Sequence, residues 1–238
     1  MLDVTTLPIL NDNYAYIIRS GDELAVFDPG EAPPIITYLD KHNLTPNYIF
    51  NTHHHGDHVQ GNLEIKEKYN CHIVGPAKEK DKIKTLDIGL THGERFNLGN
   101  ETIEIIKTAG HTNGHISFYF QKSKTLFCGD ALFSMGCGRL FEGTPEDMFK
   151  GFEFIKRLPP ETKIYCGHEY TLNNAEFCLN VEPDNPDLIA RTEEVKILRQ
   201  QGKPTIPTNL GLELKTNLFL RAKTAKNLKD LRALKDSA

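Results

Sequence analysis

The chain has 238 residues, of which 39% are hydrophobic and 25% charged, with a net charge of −4 and a pI near 6.2. This length suffices for one sizeable core with an added subdomain, and the lack of a sustained basic patch argues against a nucleic-acid partner. Because the sequence has no apolar run of about 18 residues and no basic leader before an apolar stretch, we expect a cytoplasmic protein with no membrane partner.

The first functional motif lies at residues 52–58, which read Thr-His-His-His-Gly-Asp-His. His53 and His55 are two residues apart, so at a strand end or in a tight loop they point the same way and can bind one ion. Asp57 and His58 are adjacent, and the divergence of their side chains suits a second ion beside the first. Taken alone, the motif also fits a polar histidine-rich loop with loose metal affinity. A helical pattern follows over residues 61–69.

Further potential ligands follow apolar runs. His111 lies in a glycine-flanked turn between two alternating runs that predict strands. Asp130 follows a glycine at the end of another apolar run, and His168 does the same about forty residues later. Functional groups gather where strands end and where glycine permits close backbone approach. We therefore expect these three side chains to converge on one rim with the first motif.

Helical patterns dominate the last third of the chain. Thr144 is a predicted N-cap with Pro145 at the first helical position, and this helix ends before a pair of prolines. After His168, proline-marked loops separate three further helices, which we predict at residues 172–179, 188–201 and 225–234.

The ordered set of motifs, from His-x-His-x-Asp-His to the final Gly-His, resembles the metallo-β-lactamase superfamily. Residues 136–144 and 166–171 resemble the glyoxalase II family within it, the hydroxyacylglutathione hydrolases, and residues 11–14 and 232–236 are similar to that family too. The resemblance spans nearly the whole chain. It implies an α/β fold, namely an αββα metallo-β-lactamase sandwich that forms a catalytic domain over residues 1–168, followed by a small C-terminal α-helical domain, residues 169–238, that binds glutathione.

Carried over residue by residue, the resemblance also implies the metal ligands: one ion is bound by His53, His55 and His111, a second by Asp57, His58 and His168, and Asp130 bridges the two. Three protein ligands per ion and a shared carboxylate leave room for a bridging water, as a catalytic site requires. The expected cofactors are two divalent metal ions per chain. Zinc is favoured, and iron or manganese also suits histidine and carboxylate ligands.

The remaining histidines and the cysteines have other predicted roles. His54 should point away from its two neighbours and act in packing or in support of the ligands, and His115 should fix the His111 turn by hydrogen bonding. His42, His72 and His92 are expected at the surface. The five cysteines contain no Cys-x-x-Cys pair, which argues against a zinc finger or ribbon, so we expect small buried hydrophobes in a reducing compartment.

The expected reaction is hydrolysis of S-D-lactoylglutathione, an S-(2-hydroxyacyl)glutathione, to D-lactate and glutathione, a step of methylglyoxal detoxification. Two metals about 3.5–4 Å apart lower the pKa of a shared water to near 7, so a metal-bridging hydroxide attacks the thioester carbonyl and no protein nucleophile is needed. Asp57 and Asp130 are the predicted catalytic residues, which position this water and accept its proton. The leaving thiolate, with a pKa of about 8.5, departs without a strong general acid.

The charge pattern suggests an anionic substrate. Residues 214–238 hold seven basic and two acidic residues, a net charge of +5 against −9 for the rest of the chain. Most of this excess fits a solvated helix face. Arg232 and Lys235, however, stand three apart and share a helical face, and they match the positions at which the resembling family binds glutathione carboxylates. Arg139 and Tyr170 resemble that family's other glutathione contacts.

Two positions depart from the family pattern. Phe141 occupies a substrate-binding position at which many members carry tyrosine, so a hydroxyl contact to glutathione is missing. We expect this loss to weaken the binding free energy by about 0.5–1.5 kcal/mol. Asn113 stands at a turn position where proline is usual, and asparagine tolerates such a turn.

Other functions of the same fold remain open at this stage. A β-lactamase typically uses a cysteine ligand, and a persulfide dioxygenase needs only the first ion. A lactonase does not need Arg232 and Lys235, and RNA-processing nucleases share the fold as well. A non-catalytic metal-binding protein is the alternative from outside enzymology. We expect a glutathione thioester as the partner and a monomeric protein.

Overall fold

A computed structural model of the protein describes residues 2–237. Met1 and Ala238, the outer ends of the two predicted domains, lie outside the described residues. The strands are β1 (Asp3–Ile9), β2 (Asn13–Ser20), β3 (Glu23–Phe27), β4 (Tyr48–Phe50), β5 (His72–Pro76), β6 (Ile88–Leu90), β7 (Arg95–Leu98), β8 (Glu101–Lys107), β9 (Ile116–Phe120), β10 (Thr125–Gly129), β11 (Leu132–Phe133), β12 (Gly136–Cys137), β13 (Lys163–Cys166) and β14 (Thr208–Asn209). The helices are α1 (Pro33–Lys41), α2 (Gly56–Val59), α3 (Asn62–Tyr69), α4 (Pro145–Ile155), α5 (Thr171–Val181), α6 (Pro186–Gln200), α7 (Leu210–Thr216) and α8 (Ala225–Asp236).

The strands form two large sheets. The first has the order β1-β2-β3-β4-β5-β6, antiparallel at β1 to β3 and parallel from β3 onwards. The second has the order β14-β13-β10-β9-β8-β7, in which β10 and β13 run parallel. A two-stranded ribbon of β11 and β12 leads from the second sheet towards the C-terminal helices.

The side chains along the strands of the first sheet alternate between its two faces, and each face packs into a separate hydrophobic core. On β3, Ala25 and Phe27 face the second sheet, whereas Leu24 and Val26 face the helices α1 and α3. Successive side chains of a strand point to opposite faces, so both faces of this sheet are covered. The ring of Phe27 stacks on Phe127 of the second sheet at 4.2 Å. The two sheets therefore pack face to face with helices outside, which is the predicted αββα sandwich.

The helix α4 covers the second sheet. The Thr144 side chain accepts a hydrogen bond from the Asp147 backbone, Asp147 caps Thr144 in return, and Pro145 is the first helical residue, so the predicted helix start is confirmed. The buried residues Met148 and Phe152 belong to the same connected hydrophobic cluster as the second sheet. Helix α8 packs on α4, which places the C-terminal helices beside the second sheet rather than apart from the sandwich.

Four predicted helices are confirmed as α3, α5, α6 and α8, but the three helices α1, α2 and α7 and the strand β14 are not among the predicted elements. Helix α1 begins with two prolines and has nine residues, and α7 has seven, so neither carries a long periodic signal. Strand β14 extends the second sheet with residues of the predicted helical domain, which is therefore not purely helical. Within residues 2–237, the helices are too short or too polar to cross a membrane.

All five cysteines are buried, as expected, and all five are free thiols.

The contact between the sheets gives a first prediction. Phe27 is fully buried against the rings of Phe50, Phe118 and Phe127, so Phe27→Ala should lower the free energy of unfolding by about 3–5 kcal/mol, measured by urea denaturation. Leu63→Ala, at a side chain 54% exposed, should change it by less than about 0.5 kcal/mol. Equal effects of the two substitutions would contradict this description of the core.

Candidate functional site

The predicted ligands lie at neighbouring strand ends. His53 and His55 follow β4, and Asp57 and His58 occupy the short helix α2. The other three predicted ligands, His111, Asp130 and His168, follow β8, β10 and β13. The parallel strands β10 and β13 end at the same edge, where the Gly167 backbone N–H donates to the Gly129 carbonyl at 2.9 Å. All seven predicted ligands are brought together at this edge.

Three histidines form the first group. The Nδ1 atom of His55 lies 3.1 Å from Nε2 of His53 and 3.0 Å from Nε2 of His111. Nitrogen ligands held at 2.0–2.1 Å around a tetrahedral ion are separated from one another by about 3.3 Å. The three ring nitrogens are therefore spaced to bind a single metal ion.

The second group contains Asp57, His58 and His168. The carboxylate of Asp57 lies 3.3 Å from Nε2 of each histidine. Asp130 touches both groups, since one of its oxygens is 3.4 Å from His58 and the other is 3.4 Å from His111 and 3.2 Å from His168. This placement of Asp130 suits a carboxylate shared between two ions.

Hydrogen bonds on the far side of the rings aim their free nitrogens at the centre. His111 Nδ1 donates to the Arg139 carbonyl at 2.9 Å, and His168 Nδ1 donates to Asp12 at 2.8 Å. Thr52 donates its hydroxyl to Asp28, so it accepts from Nδ1 of His53. A carbonyl or carboxylate can only accept, and so the opposite ring nitrogen keeps its lone pair for a metal ion.

The buried carboxylates of the site favour positive charge beside them. Nδ1 and Nε2 of His58 and one oxygen of Asp130 are buried without a hydrogen-bond partner, although they lie within ion-pair distance of each other and of Asp28. Burial opposes a charged His168, yet the Asp130 and Asp57 carboxylates raise its pKa to about 10. They raise the pKa of His58 in the same way, while burial lowers that of His53. Positive charge is therefore favoured on the carboxylate side of the site, and the residues fit divalent ions.

Supporting residues that the motif analysis did not assign surround the ligands. Asp28 faces His58 at 3.2 Å and accepts from Thr52, and Asn13 Nδ2 donates to Asp57 at 2.9 Å. Asp12 holds His168. Residues 11–14 resemble the family in sequence without indicating a role for Asp12 or Asn13, whereas Asp28 stands in an Asp-Pro-Gly run directly after β3, a position typical of functional residues.

The two other motif histidines take the predicted supporting positions. His54 points away from the metal groups, with Nδ1 2.9 Å from Glu79 and Nε2 3.4 Å from Glu142. His115 is buried and its Nδ1 lies 2.9 Å from the Thr108 hydroxyl, while its Nε2 accepts from the Asp130 backbone at 3.3 Å. His115 thus connects the turn that carries His111 to the residue that bridges both groups.

A cleft of about 680 Å³ opens onto the metal groups. Its walls include the five predicted substrate residues, which are Arg139, Phe141, Tyr170, Arg232 and Lys235, together with the neighbouring Asn173, Asn174 and Asp236. The ring of Tyr170 stacks on His168 at 4.7 Å, so the cleft wall is continuous with the ligands. The sequence-predicted ligands and substrate residues therefore share one cavity.

The basic residues of the cleft differ in how firmly they are held. Arg232 is 6% exposed, donates to the Cys137 carbonyl at 2.9 Å and pairs with Asp236 at 3.0 Å. Arg139 pairs with the same Asp236 but its side chain is largely exposed. Burial and the positive charge of Arg232 lower the pKa of Lys235 to about 8. No carboxylate lies within ion-pair distance of the Lys235 ammonium in the described residues, so an anionic ligand would stabilise it.

The residues at both positions that depart from the family pattern make defined contacts. Phe141 is 62% exposed at the mouth of the cleft, with its ring 5.2 Å from that of His111 and 5.8 Å from that of His55. The backbone N–H of Asn113 donates to Glu142 at 3.0 Å. A proline has no backbone N–H and could not make this bond. The turn is therefore stabilised by a hydrogen bond instead of by the restricted backbone of a proline.

Comparison with known sequences identifies both parts of the chain. The family model described as the metallo-beta-lactamase superfamily matches residues 10–168, and the model for the hydroxyacylglutathione hydrolase C-terminus matches residues 169–238. A hydroxyacylglutathione hydrolase from Methylococcus capsulatus is 46% identical over 224 residues, which cover 93% of this chain and 87% of that protein. Another from Pelagibacter ubique is 42% identical over 238 residues, 99% of this chain and 100% of that protein.

Comparison with solved structures supports the same fold. The crystal structure of ETHE1 from Myxococcus xanthus superposes with a TM-score of 0.74 and covers 97% of this chain and 90% of its own. The two sequences are 20% identical, so this similarity concerns the fold alone.

A glycine beside the ligands provides a test of the site geometry. A Cβ atom added at Gly167 would overlap the Asp130 carboxylate and lie 2.7 Å from the His58 ring. We therefore expect Gly167→Ala to weaken zinc binding by at least about 10-fold, measured by competition with a chelator. Gly211→Ala, in the distant helix α7, is the matched control and should bind zinc as the original protein does. Unchanged zinc binding in Gly167→Ala would contradict the proposed ligand positions.

Proposed function

The chain belongs to the metallo-β-lactamase superfamily and, within it, to the hydroxyacylglutathione hydrolases, and we propose that it hydrolyses S-(2-hydroxyacyl)glutathione thioesters such as S-D-lactoylglutathione to the hydroxy acid and glutathione. The observation that carries this proposal is the shared cavity. A cleft lined by Arg139, Tyr170, Arg232 and Lys235 opens directly onto the two groups of metal-type ligands.

The proposed cofactors are two divalent ions per chain, with zinc favoured. His53, His55 and His111 would hold one, Asp57, His58 and His168 the other, and Asp130 would contact both. Bound there, the ions would supply a water molecule of lowered pKa and an electrophile for the thioester carbonyl oxygen. The spacing of the ring nitrogens and the buried, unpartnered atoms of His58 and Asp130 support this assignment.

The chain's own carboxylates would orient the reaction. One oxygen of Asp57 is held by Asn13 Nδ2 at 2.9 Å, so the Asp57 carboxylate has a fixed direction towards the cleft. In this proposal, Asp57 and Asp130 position the attacking water and accept its proton. The departing glutathione leaves as a thiolate, whose pKa is about 8.5, and so the reaction requires no acid from the protein.

The glutathione part of the substrate would lie along the basic wall. Lys235 would bind a carboxylate, and Arg232, already fixed by Cys137 and Asp236, would present its remaining donors to the same anion. The hydroxyl of Tyr170 would contact the peptide. Phe141 lacks a hydroxyl and would instead pack its exposed ring on the substrate.

Four further proposals concern the domains, the oligomeric state, the location and the partners of the chain. Residues 1–168 would form the catalytic domain and residues 169–238 the substrate-binding domain, since ligands come from the first and two of the basic residues from the second. We also propose a monomer, because all the predicted site residues come from one chain and the cleft needs no residue of a second copy. The buried free cysteines suit the reducing cytoplasm, and the net charge of −4 agrees with a small-molecule substrate rather than nucleic acid.

The direct test is hydrolysis of S-D-lactoylglutathione by the purified protein, followed at the thioester absorbance. We expect rapid turnover that is lost after treatment with a chelator and restored by zinc, because the proposed nucleophile is a metal-bound water. The metal content of each sample should be measured in parallel. Two bound ions without turnover would reject glutathione thioesters as substrates while leaving the metal assignment intact.

A second prediction concerns pH. The pKa of Lys235 is lowered to about 8, so its ammonium is present below that pH and is lost above it, whereas a substrate carboxylate stays ionised throughout. KM should therefore be low below pH 8 and should rise as pH increases beyond it, with kcat changing less. The measurement is kcat and KM between pH 6.5 and about 9.5, corrected for spontaneous hydrolysis.

Substitutions separate Lys235 from other titrating groups. Lys235→Met should show a raised KM with no rise near pH 8, and Lys235→Arg should keep a low KM to higher pH because arginine stays charged. Lys226→Met, on the exposed side of the same helix, is the matched control. A pH profile of KM that is identical in Lys235→Met and the original protein would remove Lys235 from the substrate site.

A further inference from the structure

Glu79 is a buried carboxylate that lies outside the cleft and outside the two groups of predicted ligands, although its oxygens come close to His54 and Glu142 in a third cluster of metal-type side chains. It is 2% exposed and ends a short helical turn after β5. One of its oxygens accepts from the Thr112 hydroxyl at 2.5 Å and from the Gly114 backbone N–H at 2.9 Å. The other faces His54 Nδ1 at 2.9 Å, which must donate because a carboxylate only accepts. Glu79 therefore receives three hydrogen bonds.

These three donors come from two loops that hold metal-type ligands. His54 lies between His53 and His55, and Thr112 follows His111 directly. The two loops contribute the three histidines of the first group, which are brought together from positions more than fifty residues apart. Their relative position must be correct to a few tenths of an ångström for one ion to bind all three.

Other contacts also support these loops: the Ile116 backbone N–H donates to the Thr52 carbonyl at 3.0 Å, and Lys78 Nζ donates to the Asn113 carbonyl at 3.2 Å. Glu142 reinforces the contact, since it faces His54 Nε2 at 3.4 Å and accepts from the Asn113 backbone, but it is partly exposed and also pairs with Lys82. Gly114 allows Glu79 to come close, because a Cβ atom at this position would overlap the Glu79 side chain. None of the hydrogen bonds of Glu79 reaches Asp57, His58 or His168.

We propose that Glu79 is a positioning residue that joins the loops of His53, His55 and His111 and so sets the affinity of that group, and not of the other, for its metal ion. This inference rests on the metal assignment of the proposed function, though not on the identity of the substrate. Glu79 does not touch the ion or the substrate. Its role is geometric: it accepts hydrogen bonds from both loops at once.

The test uses zinc as the probe and two substitutions of matched size. In Glu79→Leu the three donors lose their acceptor, and we expect the affinity for one of the two zinc ions to fall by about 10- to 100-fold while the other ion is retained. Glu79→Gln keeps an oxygen for Thr112 and Gly114 and offers an N–H to His54, so we expect both ions to bind within about 3-fold of the original affinity.

The two groups can be distinguished by a second variant. Asp12 supports His168 of the other group, so Asp12→Asn should weaken the other ion. At a chelator concentration at which each single variant retains one zinc, the double variant Glu79→Leu/Asp12→Asn should retain none. If Glu79 acted on the same ion as Asp12, the double variant would keep one zinc, and the proposal would be wrong.

Thermal unfolding of the metal-free variants and kinetics complete the test. A purely structural role would lower the affinity for both ions in parallel with stability, and this result would overturn the proposal, as would unchanged zinc binding in Glu79→Leu. Excess zinc should restore kcat in Glu79→Leu with KM unchanged.

Should Glu79→Leu fail to fold, Thr112→Val, which removes a single donor, should give the same one-ion loss on a smaller scale. Failure of thioester hydrolysis leaves these zinc results unaffected, whereas an original protein that binds fewer than two ions contradicts both proposals.

Discussion

The contact of Asp130 with three imidazoles is the interaction on which the site depends. A buried carboxylate needs hydrogen bonds or positive charge near it, and Asp130 lies within 3.4 Å of ring nitrogens from His58, His111 and His168. Its position follows from the second sheet, because β10 ends at Gly129 next to the end of β13. The sandwich thereby brings histidine side chains from separate strand ends close to one carboxylate.

The C-terminal region completes the cleft because it is anchored to the turn between β11 and β12. The Asn217 side chain donates to the carbonyls of Phe133 and Gly136, each at 3.0 Å, and Glu213 accepts from Ser134 and from the Met135 backbone. These buried bonds leave the turn little freedom. The wall that carries Arg232 and the wall that carries the metal ligands are therefore parts of one rigid cavity.

The sequence located the side chains that converge at the site better than the residues that support them. Each ligand stands in a short motif beside a glycine or at the end of an apolar run, so local pattern was sufficient to find it. Glu79 is 25 residues from His54 and 33 from Thr112, and its role arises only when the two sheets pack. Similarly, β14 was missed because its pairing with β13 is a tertiary contact of two residues.

Arg232 and Lys235 show how one helix face combines structural and binding roles. The guanidinium of Arg232 binds the Cys137 carbonyl and Asp236 and packs over the Phe219 ring, so much of its charge is already compensated within the chain. The ammonium of Lys235 contacts Asn174 and the Phe177 ring, which do not neutralise it. A buried cation without a counterion is unfavourable, and an anionic substrate relieves this cost at Lys235 more than at Arg232. In the proposed function, selectivity for an anion would therefore depend more on the lysine, although the arginine has more polar partners within the chain.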